Sequence, residues 1–593
     1  LLRGWLAVPS KDKDMQILHN HVGFRPKDTK RVIVQTSDAL YDASSLHGEL
    51  VDAATGTMLK KLIMVDSGPV PGWKSRFFHR FDCTDVQVPG TYFFRFITPQ
   101  HITEGSRFSI GEYIETDPLL SDIVHYFKGQ RCSGRWDEAD RRAPFYGDRE
   151  GTVDVHGGWY DAAGDYSKYL SHLSYANYFN PQQIPLVVWS LFETGRILED
   201  STRFSGSLLA ERVVEEAWWG ADFLMRMLDT QGYFYTTLFD VWSKHSHKRM
   251  IAAFKTQKGH LLAGYQAGFR QGGGMAIASL ARACAYDRES VPADGFTTQE
   301  CLDAAVQGYA HLVEHNREYL DNGKENIIDY YCALTAAVEL YKQTDDDHYL
   351  TESRRWFREL ASLFDPELGA WRVEHDNPRP YFHASDTGLL HISLLSYADV
   401  ENDRKKREEV VELIRKAMEA ELALAQRVYN PFSISRQMVQ PTGGDIRDAY
   451  FISHDNETGY WWQGENARLC SVAASSRMAA RLLRYEGFNE MALKLERYAA
   501  AQLDWVLGCN PFDMCMLQGH GRNNPRYEDH YPNAPGGICN GITSGFTDEE
   551  DIAFLPSEVE GRGDHRWRWS EQWIPHAGWF ALAAAQGLVD ETH

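Results

Sequence analysis

Asp161 and Asp165 stand four residues apart in Gly157-Gly-Trp-Tyr-Asp-Ala-Ala-Gly-Asp-Tyr166. Gly157, Gly158 and Gly164 allow a sharp bend, and a bend turns both acids toward one point. Two carboxylates beside Trp159 and Tyr160 are what water activation at a sugar needs, with the aromatic faces taking the apolar faces of the ring. The competing reading is a turn whose acids cap backbone or ligate calcium, since Asp and Gly are both turn residues. A third acid, Glu571, precedes an apolar helix and stands among Trp567, Trp569 and Trp573. In such surroundings a carboxyl keeps its proton to higher pH and can act as a general acid. An acid favoured by the helix dipole in a first turn would look the same.

The segment His454-Asp-Asn-Glu-Thr-Gly-Tyr-Trp-Trp-Gln-Gly-Glu-Asn466 mixes acids, amides and indoles. Trp461 and Trp462 suit pyranose faces, and Asp455, Glu457 and Glu465 could accept from hydroxyls or hold an ammonium. A helix start with surface acids explains the same residues. His383 and Asp386 either line a cleft or open the helix that follows them. His245 and His247 have a metal-like spacing but no partner carboxylate, so a solvated loop is favoured and no metal site is assigned. Cys509 and Cys515 lack a base and read as packing residues. No Gly-x-Ser-x-Gly, P-loop or dinucleotide fingerprint occurs.

Positioning these groups takes a framework larger than one ordinary core, and 593 residues suggest two domains. Residues 15–112 read as a small β-sandwich, with strands at 31–36, 91–97 and 106–111, the last alternating with Phe108 and Ile110 on one face. Residues 117–593 read as a helical domain. Helical periodicity runs over 117–130, 182–197, 207–228, 274–287, 298–320, 327–343, 347–363, 384–398, 404–428, 464–485, 487–507 and 572–589. An even number of antiparallel hairpins can close into a double ring with long loops at one end. The long aromatic, Gly/Pro-rich connections at 131–181, 229–271, 429–463 and 508–571 hold most of the candidate residues, as functional loops do.

Composition narrows the partners. An apolar share of 43% and a charged share of 24% describe a soluble globular protein. No run of about 18 apolar residues predicts a membrane span. The apolar opening Leu1–Ser10 is too short for a convincing secretory signal, although the chain does not begin with Met, which leaves a periplasmic location open. Nine cysteines, an odd number without a Cys-x-x-Cys pair, predict free thiols and a cytoplasmic location. A net charge of −22 excludes nucleic acid as a partner; it serves solubility, or a cationic substrate.

The chain resembles glycoside hydrolase family 9 over nearly its whole length. Met15-Gln-Ile-Leu-His-Asn-His-Val-Gly-Phe-Arg-Pro26 looks like the opening strand of the immunoglobulin-like domain that precedes many such catalytic domains. Residues 157–165 look like the family's Gly-Gly-Trp-Tyr-Asp-Ala-Gly-Asp signature. Leu507-Gly-Cys-Asn-Pro-Phe512 with Gly519-His-Gly521 looks like its Leu-Gly-x-Asn-Pro loop, and Ser570-Glu571 like its Asn-Glu acid motif. The resemblance implies a multidomain chain, an immunoglobulin-like β-sandwich followed by an all-α (α/α)6 barrel. It also implies inversion at the anomeric carbon, with Asp165 as general base, Asp161 as its partner in holding the water and Glu571 as general acid. Such a site separates acid and base by about 6.5–9.5 Å. Three departures stand out: one extra Ala in the signature, no His-His-Arg motif after the Asn-Pro loop, and Ser570 in place of Asn. Together they resemble a bacterial subgroup of exo-β-D-glucosaminidases that release glucosamine from chitosan oligosaccharides. A β-1,4-glucanase is the alternative, and a non-catalytic carbohydrate-binding protein is the alternative of another class. No cofactor is expected; relatives often carry structural calcium, but no loop is assigned one. The partner is an amino-sugar or glucan oligosaccharide, and the sequence leaves the oligomeric state open.

Overall fold

The computed structural model describes residues 15–37, 41–42, 44–99, 101–114, 116–256, 258–288, 290–462 and 464–589. The opening segment read for a secretory signal lies outside the described residues. Nine strands come first: β1 (Met15–Leu18), β2 (Gly23–Phe24), β3 (Arg31–Thr36), β4 (His47–Asp52), β5 (Met58–Gly68), β6 (Phe77–Asp82), β7 (Gly90–Ile97), β8 (Ile102–Glu104) and β9 (Phe108–Ile110). They form one sheet in the order β1-β3-β6-β5-β4-β7-β9-β2, with β8 on β7. The sequence reading anticipated two stacked sheets; the strands instead curl as one, because β5 belongs to both halves. Its first part pairs with β4 and its second, Ile63–Gly68, with β6. Curling closes the sheet over Val32, Val34, Phe81, Phe94, Phe96 and Phe108. As expected from the alternation, Phe108 and Ile110 are buried and Ser109 between them is not.

Fourteen α-helices follow among the described residues. They are α1 (Asp117–Gln130), α2 (Arg135–Asp140), α3 (Ile184–Asp200), α4 (Leu208–Arg226), α5 (Gly273–Ala283), α6 (Thr298–Tyr319), α7 (Ile327–Thr344), α8 (Asp347–Ala361), α9 (Thr387–Val400), α10 (Arg404–Ala425), α11 (Glu465–Tyr485), α12 (Asn489–Val506), α13 (Gly563–Ser570) and α14 (Ile574–Gln586). Twelve match the expected periodic segments; α2 and α13 are too short for periodicity to announce them. Helices α3, α5, α7, α9, α11 and α14 contact one another in sequence, and α14 closes the circuit on α3. Outside this circuit α4, α6, α8, α10 and α12 each pack on the inner helix next to them in the chain, and α1 lies against α14 and α4.

The sequences explain the two layers. Helix α9 is apolar on every side and buries Gly388 to Ala398 without a break. Helix α10 is amphipathic, burying Val410, Ile414, Ala417 and Met418 and leaving Lys405, Glu408, Glu409, Lys416 and Glu419 exposed. Caps set the starts: Thr297 and Glu300 form a capping box on α6, and the Ser207 hydroxyl accepts from the Ala210 N–H on α4. The sheet is joined to the helices by Trp73 and Phe78, which pack on Phe432 and Trp505. Asn20 also donates to Asp504 at 2.9 Å. No helix among the described residues is long and apolar enough to cross a membrane. The nine cysteines are unpaired and eight are buried.

Candidate active site

Asp161 and Asp165 flank a tight turn. Ala162 and Asp165 exchange backbone hydrogen bonds, each 3.2 Å long, so the chain reverses at Ala163-Gly164. Upstream, Gly157 and Gly158 take positive φ, 81° and 66°, which admits the bend the sequence suggested. The extra alanine is absorbed in the turn, and both carboxylates still converge: their oxygens and a ring nitrogen of His172 lie within 4.8 Å of one another. Gly164 is required by a close approach, since a Cβ there would stand 2.2 Å from Cδ1 of Tyr531. The turn is also bound to the segment that follows Glu571. Ala163 N–H donates to the Gln572 carbonyl at 2.8 Å, and Ile574 N–H to the Asp161 carbonyl at 3.1 Å. Trp573 Nε1 is shared by both Asp161 oxygens at 3.1 Å.

Electrostatics separates the three acids. Asp161 also accepts from the Gln183 amide, yet burial, with the charges of Asp165 and Glu571, pushes its pKa well above the carboxylate range. Asp165 accepts from Ser167 N–H at 2.9 Å, the Tyr169 hydroxyl at 2.7 Å and Trp242 Nε1 at 3.0 Å. Burial and the neighbouring Asp240 raise it to about 6, while these donors hold it back. Glu571 caps the C-terminal end of α13, where its carbonyl accepts from Asn540 N–H at 2.9 Å. Desolvation, then the charge of Asp165, raises its carboxyl to about 8 against the pull of Asn540 and Lys244. His172 is lowered to about 3 by burial and is a neutral ring at ordinary pH.

All three acids line one cleft of about 620 Å³. Trp242, Tyr460, Trp462, Tyr531, Trp567 and Trp573 supply aromatic walls, and Lys244, Lys258 and Arg568 supply cations. Among the described lining residues the only carboxylates are Asp161, Asp165 and Glu571. Trp462 Nε1 is buried without an acceptor among the described residues, so it can donate to a hydroxyl placed in the cleft.

The sequence model described as glycosyl hydrolase family 9 matches residues 117–537. The chain belongs to that family. As a family 9 member it is an inverting O-glycosyl hydrolase by class. Endoglucanase 4 of Arabidopsis thaliana is 22% identical over 438 residues, which cover 70% of this chain and 78% of that protein. A metagenome-derived family 9 endoglucanase of known structure is 18% identical with a TM-score of 0.65, covering 97% of this chain and 99% of its own. A family 9 protein of Bacteroides ovatus gives 17% identity and a TM-score of 0.62, with coverage of 97% and 99%. At these identities the structural likeness shows the fold.

Around the family 9 cleft, the structure brings together Asp161, Asp165, Glu571, Trp462, Trp567 and Trp573 and leaves the other sequence-predicted residues outside its lining. Trp159 is fully buried under α4, its Nε1 donating to Glu216 at 2.8 Å. The Tyr160 ring packs against Tyr166 near the start of α2. His383 is buried and its Nδ1 accepts from Asp386 N–H at 2.8 Å, ordering the start of α9. Asp386 takes the Gln182 N–H at 2.7 Å and Trp579 Nε1 at 3.0 Å, which ties α9 to α14. The three acids read for an ammonium are also elsewhere. Asp455 is exposed, Glu457 is paired with Arg379 (3.2 Å to one of its nitrogens), and Glu465 accepts from Arg468 at 2.8 Å inside the protein. Trp461 stands on edge against Trp569, and Trp569 is fully buried. Sequence reasoning missed His172, Trp242, Lys244, Lys258 and Tyr531. Their one signal was membership of the long connections, which contribute to the cleft from four separate stretches of chain.

Proposed function

We propose that this chain hydrolyses β-1,4-linked glucan oligosaccharides with inversion. The observation that carries the reading is the pair of opposed acidities in one cleft. Between about pH 6 and about pH 8, Asp165 is ionised while Glu571 keeps its proton. A water lies between the two aspartates, with Trp573 and Gln183 fixing Asp161 and with Tyr169 and Trp242 fixing Asp165. Its oxygen attacks the anomeric carbon from the face opposite the leaving oxygen, and Asp165 takes its proton. Glu571 gives its proton to the glycosidic oxygen as the C–O bond breaks. The aromatic walls hold the pyranose faces, and Trp462 Nε1 donates to a hydroxyl.

The absence of a further carboxylate among the described lining residues favours a neutral sugar over glucosamine, as do relatives named as endoglucanases. The closed circuit of inner helices supports an (α/α)6 barrel. A separate apolar core within the sheet supports a division into residues 15–112 and 117–593. Nine unpaired cysteines support a reducing, cytoplasmic compartment.

One observation favours a second reading, exo-release of glucosamine from chitosan oligosaccharides. Asp161 and Asp165 are crowded, buried and faced by a neutral His172, so a C2 ammonium beside them would offset their charge. The test is hydrolysis of cellotetraose and of glucosamine disaccharide by the purified chain, with the first anomer followed by NMR. Faster turnover of the glucan with α-anomer released supports the proposal. Faster turnover of the amino sugar replaces it by the second reading. Binding of either without turnover would make the chain a carbohydrate-binding protein.

A further inference from the structure

A second crevice, of about 440 Å³, opens where the sheet meets the helices, between β3, β5 and β6 on one side and α10, α12 and the connection after α10 on the other. Its charge is opposite to that of the molecule. Arg31, Arg80, Lys494 and Arg497 line it with one lining carboxylate, Asp66, in a chain of net charge −22, and Lys494 is paired with Glu490 on its own helix at 2.8 Å. Asp66 is already engaged, by Arg80 and by the Tyr429 hydroxyl at 3.1 Å. Arg31 is 5% exposed, and its one hydrogen bond among the described residues is from Nη1 to the Phe432 carbonyl at 2.8 Å. Asp504 and Asp82 act on it through space, with no ion pair among the described residues. A guanidinium buried without a carboxylate is costly, and an anion entering the crevice would offset that cost.

A second group points to the rest of the ligand. The Asn430 amide nitrogen donates to the carbonyls of Ala425 at 3.0 Å and Ile434 at 2.9 Å. Its oxygen is buried and receives no donor among the described residues, so it requires a hydroxyl or N–H. Planar guanidinium forks match phosphate oxygens, and the crevice holds far more than a phosphate. We propose that this crevice binds a phosphorylated monosaccharide, with its phosphate on Arg31 and Arg497 and a sugar hydroxyl donating to Asn430. The proposal is independent of the catalytic reading, since none of these residues lines the cleft of Asp161 and Glu571.

Isothermal titration of the full chain at low salt with glucose 6-phosphate, inorganic phosphate and glucose tests it. The sugar phosphate should bind one to one, phosphate more weakly and glucose not at all, and the sugar phosphate should raise the unfolding temperature. Arg497→Ala should weaken binding by on the order of tenfold, as loss of one charge-assisted hydrogen bond does. Arg31→Met should abolish binding while hydrolysis of the glycan persists. Should Arg31→Met fail to fold, Arg497→Ala and Asn430→Ala carry the test. Failure of both anions to bind, equal binding of phosphate and sugar phosphate, or binding that survives in Arg497→Ala and is lost in Lys244→Ala at the catalytic cleft would each overturn the proposal.

Discussion

At Glu571, dry surroundings and the nearby charge of Asp165 act in the same direction, and both favour the protonated form. A plot of kcat/KM against pH should therefore be a bell, rising near about 6 as Asp165 ionises and falling near about 8 as Glu571 loses its proton. A rate that stays level across both values would remove these groups from the reaction. Asp165→Asn and Glu571→Gln should each lower kcat by about 10²–10⁴-fold with an unchanged circular dichroism spectrum. Gly164→Ala forces a methyl into Tyr531, so kcat should drop, and a Tyr531→Ala background should recover part of the loss. At this scale the acids were legible because type and spacing announce them. Trp242 was not, because its contact with Asp165 spans 77 residues of chain. Trp159 misled, because an indole beside an acid in sequence can turn its N–H to another acid, here Glu216, in space.

Between elements, the joints are single buried polar groups set among apolar surfaces. Asp386 holds α9 to α14 and to the chain entering α3. Asp386→Ala would strand two buried donors, and urea unfolding should report a loss of about 2 kcal/mol or more. An unchanged midpoint would mean that water replaces the carboxylate at no cost. Helices were readable in the sequence because twelve of them run unbroken for three or more turns, most with a 3.6-residue pattern. The curl of the sheet was not, because β5 sets Leu59, Lys61, Ile63 and Val65 along a face that stays in water. Ile63, for example, is 77% exposed, and nothing in that local pattern says which neighbours each half will find.

For the molecule as a whole, the three acids make a pH-dependent contribution of known sign. Each has its folded pKa raised, so the native state holds protons more tightly than the unfolded chain, and stability falls as pH rises. For Glu571 that contribution is fully present below its ordinary value of 4.5 and is lost as pH passes about 8. Glu571→Gln should therefore gain in melting temperature over the parent, by little near pH 4.5 and most above about pH 8. A gain that does not vary with pH would contradict the raised acidity constant. The turn at 161–165 and residues 572–574, which lead into α14, are stitched together by backbone hydrogen bonds across some 400 residues. This gives the protein a birth order: during synthesis the base is made first but stays unsupported until the acid and its brace leave the ribosome some 400 residues later. A nascent chain arrested after residue 560 should carry a folded sheet and no hydrolytic activity, which synthesis on through α14 would restore.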